Sequence, residues 1–309
     1  MTIFALYVKI CMYRIHWGET MFEQLKIKKE LEKPGTLELA DQLLEEAKEL
    51  KGKKEQKTAE KMCIRAYEIY NTLNTNEPGM YKDKLAVCCS ELGDVYENME
   101  MYDKAREYHS MAAEIYEEMA ENKTPEFFEA LSDEYCSIGD THFFNKMYDE
   151  ADEFYRKALD IVEKLEKEYP GMYIENIAYC HDCLAKNHCG RENYTLAVEE
   201  YEYIIGIYQK LLDEQHTDEL NELTIAYNEE LASVYNDIGY TYSCCKDMED
   251  AEKYYQKAAF LYRLLTKNDP DTYATILADQ YSDLAVLYED MNDKYRAKEY
   301  RKKALNPYV

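Results

Sequence analysis

Small and apolar positions recur along this chain in one local phrase that is written six times. Ala59, Ala105, Ala151, Ala197, Ala251 and Ala297 stand 46, 46, 46, 54 and 46 residues apart. Twelve residues before each lies another small residue: Ala47, Gly93, Gly139, Ala185, Gly239 and Ala285. Three residues past that position comes Leu50, Tyr96, His142, His188, Tyr242 or Tyr288. Seven residues past the anchor alanine comes Ala66, Ala112, Ala158, Ile204, Ala258 or Ala304. Spacings of three, four and seven are helical, so each phrase predicts a pair of amphipathic helices meeting through their small residues. A fixed period of this size predicts stacked units, because one pair alone leaves its apolar face uncovered.

The phrase resembles the tetratricopeptide repeat, and the resemblance runs from about Leu37 to Leu305. It implies an all-α fold: a right-handed α-solenoid of six tandem helix-turn-helix units over residues 37–309, with residues 1–36 as an N-terminal extension and cap. The usual unit has ~34 residues, so the second helix of each pair is expected to run about two turns further. Ile69-Tyr70, Ile115-Tyr116, Ile161-Val162, Ile207-Tyr208 and Leu261-Tyr262 continue its apolar face. This is similar to the long-helix repeats of kinesin light chain, and Leu284-Ala285-Val286-Leu287-Tyr288 carries the closest local likeness. Pro78-Gly79, Pro125, Pro170-Gly171 and Pro270 then break the chain, and proline at a first helical position suits the start of the next unit. The fifth unit has no such proline and carries eight additional residues, placed around Asp213 to Asn221.

Charge narrows the function. Against 37 Lys and Arg stand 63 Asp and Glu, a net charge of -26. Nucleic acid and anionic membrane surfaces both require the opposite sign, so neither is expected as a partner. No stretch approaches the ~20 apolar residues of a membrane span, and the apolar start, Met1 to Trp17, is interrupted by Lys9, Arg14 and His16. A cytoplasmic chain with reduced thiols is the expectation. Basic stretches at Lys48 to Lys61 and Lys294 to Lys303 read as solvated ends, or as contacts through which copies of the chain associate.

Among ten cysteines the dense run is Cys180-His181-Asp182-Cys183, followed by His188-Cys189. A soft-metal site is one reading. However, His181 and His188 occupy the register of Tyr235 and Tyr242 in the next unit, seven residues and about 10 Å apart along one helix, which one tetrahedral ion does not span. No metal or cofactor is expected there. Phosphate loops, nucleophile elbows and zinc-protease motifs are missing from the sequence, and the 32 tyrosines recur at packing positions. Catalysis is therefore not expected.

In the family, the partner-binding groove is lined by the second, fifth, sixth, ninth, twelfth and thirteenth positions of each first helix. Counted from Ala40, Ala86, Ser132, Ala178, Ala232 and Ala278, thirteen of those 36 positions are acidic and three are basic, Lys48, Lys51 and Lys186. The resemblance thus implies a groove formed by Glu91, Asp94, Glu97, Asp133, Asp140, Phe143, Phe144, Tyr179, Asp182, Lys186, Asn236, Asp237, Tyr240 and Asp283. The basic carboxylate clamp of chaperone-binding relatives does not carry over, since the equivalent positions here are mostly acidic. Glu97 stands near a helix C-terminus, where negative charge opposes the dipole. The expected function is a non-catalytic protein- or peptide-binding adaptor for a basic or amphipathic partner. The alternatives are a peptide-responsive signalling regulator and a self-assembling structural subunit. Phe143 and Phe144 are read either as groove anchors or as filler beneath the next helix.

Overall fold

The computed structural model describes residues 35–52, 55–120, 124–215 and 221–307. The extension expected over residues 1–36 lies, up to position 34, outside the described residues. The chain divides into two compact units, residues 1–119 and 120–309. In the first lie α1 (Leu37–Gly52), α2 (Gln56–Asn76), α3 (Lys82–Asn98) and α4 (Tyr102–Ala120), whose last residue reaches the boundary. In the second lie α5 (Pro125–Phe144), α6 (Tyr148–Glu168), α7 (Ile174–Gly190), α8 (Tyr194–Glu214), α9 (Glu222–Cys244), α10 (Met248–Asn268), α11 (Pro270–Asp290) and α12 (Lys294–Leu305). Every regular element among the described residues is an α-helix.

The six anchor alanines explain why the helices pair. Five have no accessible surface and Ala297 has 3%, because a methyl group is all that fits where two helices touch. Around them, α1, α2 and α3 enclose Leu43, Met62, Tyr70 and Leu92, while in the second unit Ile204, Ile238, Leu265, Leu277 and Tyr288 fill the spaces between successive pairs. Each such large side chain contributes about 1.5–3 kcal/mol by leaving water.

The small residue on the first helix of a pair has a more specific role than close helix approach. A Cβ on Gly93 would lie 2.4 Å from Nε2 of His109, one on Gly139 2.4 Å from Cε1 of Tyr155, and one on Gly239 2.8 Å from Cδ1 of Tyr255. The glycine makes room for a ring from the second helix. One register away the pairs stack rings face to face, Tyr96 on Tyr108, His142 on Phe154 and Tyr242 on Tyr254, with centroids 5.5 to 5.6 Å apart. Such pairs add about 0.5–1.5 kcal/mol beyond their buried area.

The turn inside the second to sixth pairs is equally regular. Glu100, Lys146, Glu192, Lys246 and Asn292 take φ between 57° and 63°. The N–H of the next residue then bonds the carbonyl five residues back, as in Met147 to His142 at 2.9 Å and Asp293 to Tyr288 at 2.7 Å. This is the Schellman closure, which satisfies carbonyls that a helix end leaves open. Between pairs, Pro125 and Pro270 do open α5 and α11. Pro78 and Pro170 do not: each precedes a glycine at φ 88°, and α3 and α7 begin only at Lys82 and Ile174. There the side chains of Asn74 and Glu166 accept the N–H groups of Gly79 and Gly171, which fixes a turn before the helix starts. The eight additional residues, expected around Asp213 to Asn221, are shared between the connection of α8 to α9, residues 215–221, and the start of α9, which opens ten residues before Ala232 where α7 opens four before Ala178; residues 216–220 lie outside the described residues, and α9 opens with a capping box between Asn221 and Thr224.

Candidate functional site

The acidic positions of the first helices meet two different environments. In the first unit, Lys51 at the end of α1 reaches across to α3. Its Nζ lies 2.7 Å from Oε2 of Glu91 and 2.5 Å from Oδ2 of Asp94. Burial works against the ammonium charge, yet hydrogen bonds to Asp94 and Glu91 hold its pKa above the ordinary lysine value. Glu97, one turn beyond Asp94, has Oε1 3.6 Å from Nε2 of buried His109 on α4. The three predicted groove acids of this unit therefore face groups of their own chain.

In the second unit a cleft of about 350 Å³ opens between α7 and α9. Ile204 and Tyr208 of α8 form its floor, Tyr179 and Asp182 line the α7 side, and Tyr227 and Val234 line the α9 side. Glu175, Lys186 and Glu230 complete it. Lys186 bonds Asp182 at 2.6 Å, and that carboxylate together with Asp237 raises the lysine pKa although burial opposes it. The remaining acids are short of cations. Burial, helped by Asp182, pushes the Asp237 carboxyl to about 6 against the pull of Lys186. Burial followed by Glu229, Asp182 and Glu175 raises Glu230. Burial followed by Glu129 and Glu134 lifts Asp133 on α5 to about 6, and burial with Asp279 raises Asp283 on α11.

The structure places the other predicted residues as follows. Asp140 accepts a hydrogen bond from the Tyr155 hydroxyl at 2.6 Å, which ties it to its own hairpin. Asn236 is half-buried beside Asp237. Tyr179 and Tyr240 expose 50% and 61% of their surface, far more than the packing tyrosines. The two phenylalanines separate: Phe143 is half-buried against Tyr148 and lies close to Gly190 at the end of α7, while Phe144 leans edge-on against it and stays 52% exposed. Glu175 and Glu230 were not among the counted positions. They precede Ala178 and Ala232, where counting began, whereas α7 and α9 start upstream of those alanines at Ile174 and Glu222. The length of the repeat phrase was the signal that the first helices carry such extra lining positions.

The cysteine-histidine run is divided among neighbours. Sγ of Cys180 lies 3.8 Å from Sγ of Cys136 on α5, in a buried apolar setting. His181 and His188 both turn to Glu200 of α8, at 2.5 Å and 3.9 Å. In that hairpin Glu200 stands where the others place a stacking ring, so a polar contact replaces the stack. No described helix is long and apolar enough to cross a membrane.

Two family models described as tetratricopeptide repeat match the chain, over residues 135–163 and 231–265. These segments fall on α5 with α6 and on α9 with α10, the hairpins that carry Gly139 and Gly239. No curated protein matches by sequence. Among solved structures the fold is similar to BtubC (BKLC) from P. vanneervenii, 20% identical with a TM-score of 0.59 over 79% of this chain and 87% of that one. It is also similar to the apo form of RapI, 16% identical with a TM-score of 0.58 over 97% and 96% of the two chains. A third likeness is to a Podosopora anserina putative kinesin light chain with tetratricopeptide-like repeats, 12% identical with a TM-score of 0.55 over 76% and 99%. At these identities the likeness is one of fold. The chain is thus an all-α helical-repeat solenoid, two of whose hairpins match tetratricopeptide-repeat models.

Proposed function

We propose that this protein is a non-catalytic adaptor whose second unit binds a basic or amphipathic peptide segment in the cleft between α7 and α9. The observation that carries this reading is the pairing of half-exposed Tyr179 with Asp182, Glu175 and Glu230 around an apolar floor of Ile204 and Tyr208. An apolar anchor gains affinity by burial on Tyr179 and that floor, and a lysine or arginine beside it supplies the positive charge the raised carboxyls lack. Tetratricopeptide-repeat proteins are in general protein-binding scaffolds, which agrees with the cleft.

The test is fluorescence anisotropy against peptides in which Lys or Arg flanks one aromatic or leucine, compared with charge-reversed versions. The basic set should bind, weaken as salt is added, and lose at least ten-fold affinity in a folded Tyr179→Ala variant. Preference for the acidic set, or affinity unchanged in that variant, would refute the reading.

A further inference from the structure

The last helix divides its cations into two sets. Six of the twelve residues of α12 are Lys or Arg, against the single acid Glu299, in a chain whose acids outnumber its bases by 63 to 37. One set is used at home. Arg296 bonds Asp293 at 2.7 Å and Glu252 at 2.8 Å, Arg301 is paired with Glu289, and the Lys303 ammonium lies 4.3 Å from the centre of the Tyr300 ring. The other set is Lys294, Lys298 and Lys302, which are exposed and form no ion pair among the described residues. Steps of four place them in one row along the helix. At about 100° per residue, Leu305 falls within the arc of that row and Tyr295 just beside it; these two are 88% and 73% exposed. A terminal helix needs a polar outer face, but not one of a single sign, nor one that turns a leucine and a tyrosine outward. Lys294 also stands in the first turn, where the helix dipole disfavours a cation. Neither capping nor helix stability accounts for this face.

A surface of the opposite sign lies in the same unit. An open groove of about 600 Å³ runs between the first turns of α8 and the end of α9, with Tyr194, Leu196, Val198 and Tyr242 as its apolar lining. Glu192, Glu199 and Glu202 edge it, and all three are exposed. They form no ion pair among the described residues. The lysines of α10 that feel the charge of Glu202 are engaged elsewhere, Lys253 with Asp250 at 3.2 Å and Lys257 over the rings of Tyr235 and Tyr254.

We propose that the outer face of α12 docks in this groove on a second copy of the chain. Three lysines meet three glutamates, while Leu305 and Tyr295 cover the apolar lining that the groove leaves open to water. The charge match names the occupant: no other described helix joins a row of unpaired lysines to exposed apolar side chains. This groove is separate from the cleft between α7 and α9, so the contact stands apart from the adaptor reading. Because the two faces differ, each copy offers both and the contact is head-to-tail. One helix face on one groove belongs to the small class of interfaces, so the association is weak, steered by charge and sensitive to salt.

The test is sedimentation equilibrium of the full-length reduced protein over a rising concentration series. Average mass should increase with concentration in low salt and return to that of the monomer in high salt. Lys294→Glu with Lys298→Glu, and Glu199→Lys with Glu202→Lys, lie at exposed positions and should each weaken self-association by about ten-fold or more. Mixed in equal amounts, the two variants should associate again, because each reversed face then meets one of opposite sign; a variant that had merely lost its fold would not be rescued. The proposal is overturned if the unaltered protein stays monomeric throughout, if association survives either reversal, or if the mixture of folded variants fails to associate. It is also overturned if association is lost in Glu175→Gln with Glu230→Gln but kept in Glu199→Lys with Glu202→Lys, which would send α12 to the cleft between α7 and α9 instead.

Discussion

The two units both carry acidic first helices and treat those acids differently. In the first, Lys51 spans Glu91 and Asp94, and Lys84 bonds Asp41 at 2.6 Å. In the second, Lys186 answers Asp182 and Asp237, while Glu230, Asp133 and Asp283 have carboxyls raised by burial and by other carboxylates near each of them. Counting along the sequence already separates these regions: α1 and α3 hold Lys48, Lys51, Lys82 and Lys84, whereas Lys186 is the sole lysine of α5, α7, α9 and α11. Acids of the first region are thus paired with its own lysines, and those of the second are the ones for which we propose a basic partner.

Steric substitutions give the largest expected effects and test whether the two units share one packing rule. Gly139→Ala drives a methyl into the Tyr155 ring and Gly93→Ala drives one into His109. Each should destabilise its unit by about 1–3 kcal/mol, the usual range for overpacking, as read by chemical denaturation. A neutral Gly93→Ala would show that the second hairpin has slack the third does not.

Lys51→Met should break the internal neutralisation. Removing one member of a half-buried pair and leaving two carboxylates facing each other should cost about 1–2 kcal/mol at pH 7. Because the loss is electrostatic, it should shrink as added salt screens the charges. A loss that persists at high salt would assign Lys51 a packing role.

Asp237→Asn should act in the opposite direction. The folded carboxyl titrates at about 6, above its ordinary value of 3.8, so between those values the folded state holds a proton that the unfolded state has released. Stability contributed by this group therefore falls as pH rises from about 4 to 6. The amide avoids that loss, and the variant should gain about 1 kcal/mol at pH 7, allowing for partial exposure, and nothing at pH 4. Thermal melts at both pH values check it; a destabilised variant at pH 7 would show that Asp237 already has a sufficient partner.

The smallest effects concern the turns. Glu100→Gly and Lys146→Gly, one in each unit, relieve the left-handed backbone and should each gain a few tenths to about 1 kcal/mol. Equal gains would confirm that the units share one turn while differing in charge.

Much of this was legible in the sequence, for identifiable reasons. The anchor alanines sit where two backbones touch, and their burial follows from periodicity alone. Helix starts at Pro125 and Pro270 followed from proline's fixed φ, whereas Pro78 and Pro170 did not, because turns built on Asn74 and Glu166 depend on side chains four and more residues away. The acidic positions were readable one by one, but not the reach of Lys51 across 40 residues to Glu91. Glu175 and Glu230 escaped because a count anchored on the repeat's alanines starts after them.

The most direct test of the central contrast is a calorimetric titration with one basic, aromatic-anchored peptide against two matched variants. Glu175→Gln with Glu230→Gln removes acids of the second unit's cleft, and Glu91→Gln with Asp94→Asn removes the same number from the first. The account predicts at least five-fold weaker binding in the first variant and wild-type affinity in the second. Equal losses in both variants, or loss only in the second, would contradict it.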